Sequence, residues 1–357
     1  MIGRSDQIWL LDHGMIAGGG QRFGLRLAQA LMDRGARVTI GCNPGNPLVD
    51  WCADAGIEVT EMRFPVPALK SLPAVPTALA RTRRLLHDVG AHAIVIGNHP
   101  RAHAYLFAAT RGLYSHPAIV NLVHEQESAE RRSLRYAYKH CGSLLVTGSN
   151  ATATYRRWLP DVPLTKVNNF LLPESFAREK ARPSQTERVI GVLARMIPEK
   201  GIVELIDELA ADDVRPCWRE LRVAASFQDS SYTRLVEQRI SENGLEAQIR
   251  LLGEVSDVPT FLSSLDLLVV PSVGNETQPT VILEALAAGL PVAVRSPLFD
   301  PAFEGLPVAA YSDSGELRRA ISKRPRPART EDLRRRFGPE QVISGLETAA
   351  QLARARS

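Results

Sequence analysis

Short apolar runs recur along the chain, and most lead through a polar loop into a segment with apolar positions at helical spacing. Ile8 to Leu11, Ala36 to Gly41, Ala93 to Gly97, Ala118 to Val123, Leu144 to Thr147 and Val167 to Phe170 predict strands in the first half. Val189 to Leu193, Leu221 to Ser226, Ile249 to Leu252, Leu267 to Val270, Leu290 to Val294 and Val308 to Ala310 predict strands in the second. Helices are predicted over Gln21 to Asp33, Thr77 to Asp88, Ala151 to Leu159, Ile202 to Leu209, Tyr232 to Asn243, Val258 to Ser264, Glu316 to Ser322 and Pro339 to Arg354. A further helix starts near Pro279, where proline is tolerated because the first helical N–H is unpaired; Thr277 can cap it and Gly289 closes it. Alternating strands and helices imply parallel sheets with right-handed crossovers. The polar, proline-punctuated stretch after Phe170 separates two such series. The expected organisation is a first doubly wound domain over 1–170, a linker over 171–188, a second domain over 189–325, and a C-terminal helix within 326–357.

Composition narrows the class only a little. A chain of 357 residues is too long for one ordinary α/β domain, and 45% hydrophobic with 23% charged residues is ordinary for a globular protein. No apolar run is long enough to span a bilayer and the start carries no signal-peptide pattern, so a cytoplasmic protein is expected. Cys42, Cys52, Cys141 and Cys217 show no CxxC spacing and read as incidental thiols. A net charge of +4 suits an anionic substrate or surface.

Candidate chemistry concentrates between Pro271 and Arg295, PSVGNETQPTVILEALAAGLPVAVR. Glu276 lies in the loop at the mouth of the predicted helix, and Glu284 lies inside it among Ile282, Leu283 and Leu286. Alone, Glu276 would be a solvated loop acid. A glutamate among apolar neighbours needs partners, and a ribose diol would serve. Together the two bracket a helix N-terminus that can face an anion. Upstream, Arg195 and Lys200 stand in the loop ARMIPEKG between a strand and a helix. In the first half, Gly18, Gly19 and Gly20 precede a long helix, where backbone can approach a ligand closely. His124 and Glu125 follow the strand Ala118 to Val123, at the end where ligands bind in such sheets. His99 ends the neighbouring strand with no motif around it and is left structural.

Glu276 and Glu284 with EALAAGLPV after them, and RxxPEKG before them, resemble the retaining glycosyltransferases of the GT-B fold, the large family-4 type. The resemblance implies two Rossmann-like domains facing a cleft, with the C-terminal helix within 326–357 packing back towards the first, and transfer of a sugar from a nucleotide diphosphate sugar to an acceptor hydroxyl. It implies that Glu284 binds the nucleotide ribose and Glu276 approaches the donor sugar. Thr277, Gln278, Pro279 and Thr280 would turn backbone toward sugar and phosphate. Arg195 and Lys200 would hold the diphosphate, Gly253 and Val255 would seat the base, and Gly19 and Gly20 would face the donor phosphates. His124 would contact the donor sugar. A Gly-x-Gly turn common after the second strand of the nucleotide domain is replaced here by Ser226-Phe227-Gln228-Asp229. No Asp-x-Asp occurs, so the implied transfer is metal-independent and cofactor-free, with a UDP- or GDP-sugar as donor.

Other classes stay open at this point. A sugar-nucleotide epimerase of the same fold would convert the donor without an acceptor, and a silent nucleotide-sugar-binding protein would lack turnover. Gly18, Gly20 and Gly24 mimic a nicotinamide-dinucleotide loop, but Asp12 to Ala17 intervene after the strand, and the second strand runs into Cys42 and Asn43 rather than an acid. The segment Phe64 to Pro76 offers Phe64, Val66, Leu69 and Leu72 beside Arg63 and Lys70, and Arg81, Arg83 and Arg84 follow. Apolar residues flanked by cations suit an anionic bilayer. Peripheral contact with the inner face of a membrane, and a lipid-linked or saccharide acceptor, are therefore carried beside the plainer expectation of a loop packed on its own domain. Nothing in the sequence points to nucleic acid.

Overall fold

The computed structural model describes residues 2–356 except 4–5, 15–17, 47, 67–72, 125–129, 177–187, 227–229 and 275. The chain forms two compact units, one of Met1–Leu172 with Phe337–Ser357 and one of Pro173–Arg336.

The first unit runs β1 (Gln7–Asp12), α1 (Gly19–Asp33), β2 (Arg37–Cys42), α2 (Leu48–Asp54), β3 (Glu58–Glu61), α3 (Ala74–Asp88), β4 (Ile94–Gly97), α4 (Pro100–Thr110), β5 (Ala118–Val123), α5 (Arg132–His140), β6 (Ser143–Thr147), α6 (Ser149–Trp158) and β7 (Leu164–Val167). All pairings are parallel, in the order β3-β2-β1-β4-β5-β6-β7. Strands buried on both faces need continuous apolar runs, which is why β5 and β6 are legible in sequence. Among the elements that went unpredicted are α2, β3 and α4. β3 is a four-residue edge strand, EVTE, with only half-buried and exposed positions, so it carries no apolar run. The last strand is Leu164–Val167 rather than Val167 to Phe170. Phe170 instead leaves the sheet and packs edge-on against Phe23 of α1, 5.1 Å between centroids.

The second unit runs β8 (Arg188–Arg195), α7 (Ile202–Ala210), β9 (Trp218–Ser226), α8 (Ser230–Glu242), β10 (Ile249–Gly253), α9 (Val258–Ser263), β11 (Leu267–Val270), α10 (Thr280–Ala287), β12 (Val292–Arg295), β13 (Val308–Tyr311), α11 (Ser314–Ser322) and α12 (Thr330–Phe337), whose last residue belongs to the first unit. Its sheet is parallel, in the order β10-β9-β8-β11-β12-β13. The final helix, α13 (Pro339–Arg354), belongs to the first unit. There Val342, Ile343, Leu346, Ala349, Ala350 and Ala353 join the core formed with β1, β2 and α1. Gly345 lets the helix lie close on the sheet, because a Cβ there would stand 2.4 Å from Val167 Cγ1.

In each sheet the strand order reverses once: between β1 and β4 in the first unit, and between β8 and β11 in the second. Crossover helices leave to opposite faces at such a point and open a crevice beyond the carboxyl ends of the strands. Arg195, Lys200, Glu276, Gly19, Gly20 and His124 lie at or next to these two places, whereas Gly253 and Val255 follow the edge strand β10.

Among the described residues, no helix is long and apolar enough to cross a membrane. Leu69, Lys70 and Leu72 of the expected surface loop lie outside the described residues, as do Glu125, Phe227, Gln228 and Asp229. Phe64 is buried and stacks edge-on with Tyr105 at 5.6 Å, which agrees with the plainer expectation of a loop packed on its own domain and not with an apolar side chain presented outward.

Candidate active site

In the second unit, β8 ends at Arg195, which is exposed and paired in register with Ser226. The sequence placed Arg195 in the loop; the ladder extends through it. Beyond it, Met196 is buried and Pro198–Lys200 form a single 3₁₀ turn. Gly201 then adopts φ 66° and ψ 29°, a left-handed conformation that glycine enters without strain. The position is also sterically closed, since a Cβ on Gly201 would lie 2.2 Å from the Pro271 carbonyl oxygen. The turn after β8 and the loop after β11 are thus in backbone contact. Val273 N and Gly274 N both donate to the Glu199 carbonyl at 3.0 Å, which ties the two loops together.

This tie brings Lys200 to Glu276. The ammonium Nζ donates to Glu276 Oε1, and Ser272 Oγ donates to the same oxygen at 3.2 Å. Both charged side chains are largely buried, 18% and 22% exposed. Burial, and next the Arg195 guanidinium, push the Lys200 ammonium down to about 8, against the pull of Glu199. A cation under such pressure is stabilised by added negative charge, as a diphosphate would bring.

The helix mouth differs from expectation in one respect. Pro279 itself stands at the N-cap of α10, two residues beyond Thr277, and has no side-chain cap of its own. Thr277, Gln278 and Pro279 are buried and Thr280 and Glu284 half-buried. Glu284 lies in the second turn of α10 between buried Leu283 and Ala285. Gly253 ends β10 at φ 71°, beside a register shift in the β9–β10 ladder. Val255 lines an open depression of about 500 Å³ with Leu252, Arg222 and Phe261. It does not adjoin the Lys200–Glu276 pair in sequence or in lining residues.

In the first unit, the carboxyl ends of β1, β4 and β5 carry a polar cluster. Asp12, the last residue of β1, is fully buried, as is Asn98 just after β4. Asn98 Nδ2 donates to Asp12 Oδ2 at 2.5 Å and to the Gly20 carbonyl at 3.1 Å. His124 Nε2 lies 2.9 Å from Asn98 Oδ1. His99 Nε2 lies 2.9 Å from Gln21 Nε2 and 3.4 Å from Asp12 Oδ2. Burial first, then the neighbouring His99 and His103, push the His124 imidazole well below the usual histidine range, so it is neutral. His13, edge-on to His99 at 5.4 Å, is pushed down to about 4 by burial, His99 and Arg101.

Gly19 is open, with nothing within 4 Å of a Cβ built there. Gly20 has a different constraint from the one expected. Its missing side chain would meet His99 Cε1 at 2.7 Å and His124 Cδ2 at 3.2 Å. Glycine is needed there to admit the two rings, and only backbone remains to turn toward a ligand. Sequence reasoning named His124 but passed over Asp12, Asn98, Gln21 and His99 as partners. The usable signal was position: each follows an apolar strand or opens the helix after one, at the point where the sheet reverses.

These are two Rossmann-like units, each with its polar residues at the reversal of a parallel sheet, the construction of GT-B glycosyltransferases. The family model for glycosyl transferases group 1 matches residues 187–311, and that for the glycosyl transferase 4-like domain matches residues 18–183. The chain belongs to the group 1 glycosyltransferases and is a glycosyltransferase. It is similar to an exopolysaccharide phosphotransferase of Streptomyces coelicolor, 31% identical over 132 residues. That match covers 37% of this chain and 13% of the length of that relative. In fold it resembles HepE of Anabaena, solved in complex with UDP and glucose, with a TM-score of 0.72 and 19% identity over 96% of this chain and 98% of that one. It also resembles a glycosyltransferase from Rickettsia africae, with a TM-score of 0.76 and 14% identity over 97% and 98% of the two chains.

Proposed function

We propose that this glycosyltransferase moves a sugar from a UDP-sugar to an acceptor hydroxyl with retention of anomeric configuration and without a divalent metal. The observation that carries the reading is the Lys200–Glu276 pair, built by the backbone tie between the loops after β8 and β11. A buried lysine pressed down by its surroundings gains from a diphosphate, and gains most as charge grows on it when the glycosidic bond breaks. Arg195 and Lys200 supply that counter-charge in this reading. Glu276 approaches the donor sugar and Glu284 accepts from the ribose hydroxyls. Gly253 and Val255 seat the base, Gly19 and Gly20 turn backbone toward the phosphates, and His124 acts on the donor sugar. The departing phosphate assists attack on the same face. UDP as the nucleotude carrier is supported by the UDP and UDP-glucose complexes of HepE.

Glu284→Gln tests the donor site. A hydrogen bond to a charged group contributes about 1.5–3 kcal/mol, so UDP affinity should fall roughly ten- to a hundredfold with the fold intact. Calorimetric titration with UDP reads this directly, and unchanged affinity would remove the ribose role.

We further propose an amphiphilic saccharide acceptor met at an anionic membrane surface. The supporting surface is not the segment first expected but the outer face of α5 and its neighbours. Tyr136 of α5 and Trp158 of α6 are exposed. Arg135 stacks on Trp158 at 4.6 Å. Arg131, Arg132, Arg135 and Lys139 make no ion pair among the described residues. Aromatic rings beside cations suit a lipid headgroup layer. Co-sedimentation with liposomes should require anionic lipid and weaken with salt. No binding at low salt would end the idea.

A further inference from the structure

We propose that Asp12 is a positioning residue that acts through Asn98 to hold His124 in one orientation and one tautomer. It rests on the assignment of His124 to the donor sugar and adds the device that makes His124 fit for it.

Asp12 is fully buried, and no lysine or arginine pairs with it among the described residues. His99 Nε2 lies 3.4 Å from its Oδ2, and the other groups around it are backbone and amide donors. Gly14 N donates to Oδ1 at 2.6 Å, and Asn46 Nδ2 and Gln21 Nε2 approach the same oxygen at 3.4 and 3.5 Å. Oδ2 takes the Asn98 amide at 2.5 Å. A buried carboxylate held this way orients its donors strongly, because each stands in for water that the site excludes.

Asn98 transmits that orientation. An amide has two hydrogens, and both are used, one on Asp12 Oδ2 and one on the Gly20 carbonyl. A flipped amide would set its oxygen against two acceptors. The Oδ1 atom therefore faces His124, and as an acceptor only it demands a proton on His124 Nε2. A neutral imidazole with its proton on Nε2 carries none on Nδ1. Phe23 packs edge-on to the ring at 4.9 Å, and the space left by Gly20 admits it. The tautomer is thus set two residues away from the ring, at a carboxylate that touches no substrate in this assignment.

The test is a double-mutant cycle of Asp12→Asn and His124→Ala, read as kcat, donor KM and UDP affinity, with ¹⁵N spectra of the His124 ring. Asp12→Asn should lower kcat roughly tenfold to a hundredfold, the size of one charged hydrogen bond, with UDP affinity unchanged. In the His124→Ala background the same change should cost less than about threefold, since coupled residues are not additive. The wild-type ring should show protonation at Nε2 alone, and Asp12→Asn should show mixed tautomers. If Asp12→Asn does not fold, Asn98→Ala cuts the same link and carries the same expectations. Multiplicative losses, or an unmixed tautomer in a folded variant, would overturn the proposal. Full activity of His124→Ala would instead sink the assignment of His124 to the sugar, and the ring spectra would still decide the positioning claim.

Discussion

Lys200→Ala is expected to lower turnover by roughly 10²- to 10³-fold, the usual cost of removing one preorganised group aimed at developing charge. Uridine should still bind, because the lysine meets phosphate charge and not the nucleoside. The side chain is largely buried, held by Glu276 and pushed down to about 8 by burial and by Arg195. This adds a pH signature. The ammonium form is the useful one, so kcat/KM of the free enzyme should fall as pH rises through about 8. Lys200→Arg keeps the charge far above that range, so its alkaline limb should vanish even where its absolute rate is reduced. The stability effect has the opposite sign. A lysine with a lower pKa folded than unfolded costs stability while both states are charged, below about 8, and the cost fades as pH climbs toward the ordinary lysine value. Full activity of Lys200→Ala, with a new dependence on magnesium, would refute the metal-free mechanism.

Gly201→Ala should be the most damaging single methyl group in the second unit. At φ 66° a side chain costs about 1–2 kcal/mol from local strain, before any contact is considered. The added Cβ would also stand 2.2 Å from the Pro271 carbonyl oxygen, a backbone atom that cannot rotate away. Overpacking adds about 1–3 kcal/mol. The sum, about 2–5 kcal/mol, should lower the melting temperature of a unit this size by roughly 5–15 °C. The same methyl group pushes apart the two loops whose contact brings Lys200 to Glu276, so turnover should fall further than Tm alone explains. Gly244→Ala is the control: it has a similar φ of 61° but nothing within 4 Å of its Cβ. It should show the strain cost without the loss of turnover. Equal effects at the two glycines would show that Gly201 is only a turn residue.

Much of the second unit was legible in the sequence, and for a physical reason. Its site residues lie within or next to strands buried on both faces, and such strands announce themselves as apolar runs. Leu267–Val270 was read to the residue, as was Ala118–Val123 in the first unit. Arg195, Lys200, Glu276 and Glu284 follow such runs at short, characteristic spacing, so local reading and resemblance reached them. Elements without that signal were missed. α4 is apolar on too many sides to show a stripe, and β3 is an exposed edge. The strand put at Val167 to Phe170 ended early because Phe170 is needed as packing for Phe23, a contact 147 residues away that no local pattern encodes.

By itself the sequence determined the strand–helix alternation, hence two parallel doubly wound units, and the residue types able to meet a nucleotide sugar. The short-range spacing of buried strands and helix mouths carries that information. Only the tertiary structure decided which polar residues act together. The reversal of strand order between β1 and β4 sets Asp12 beside Asn98, 86 positions later, and the next strand brings His124 to the same amide. The backbone tie at Glu199 brings Lys200 to Glu276 across 76 positions. Hydrogen-bond geometry of this kind depends on strand order and loop contact, and neither leaves a trace in the periodicity of the chain.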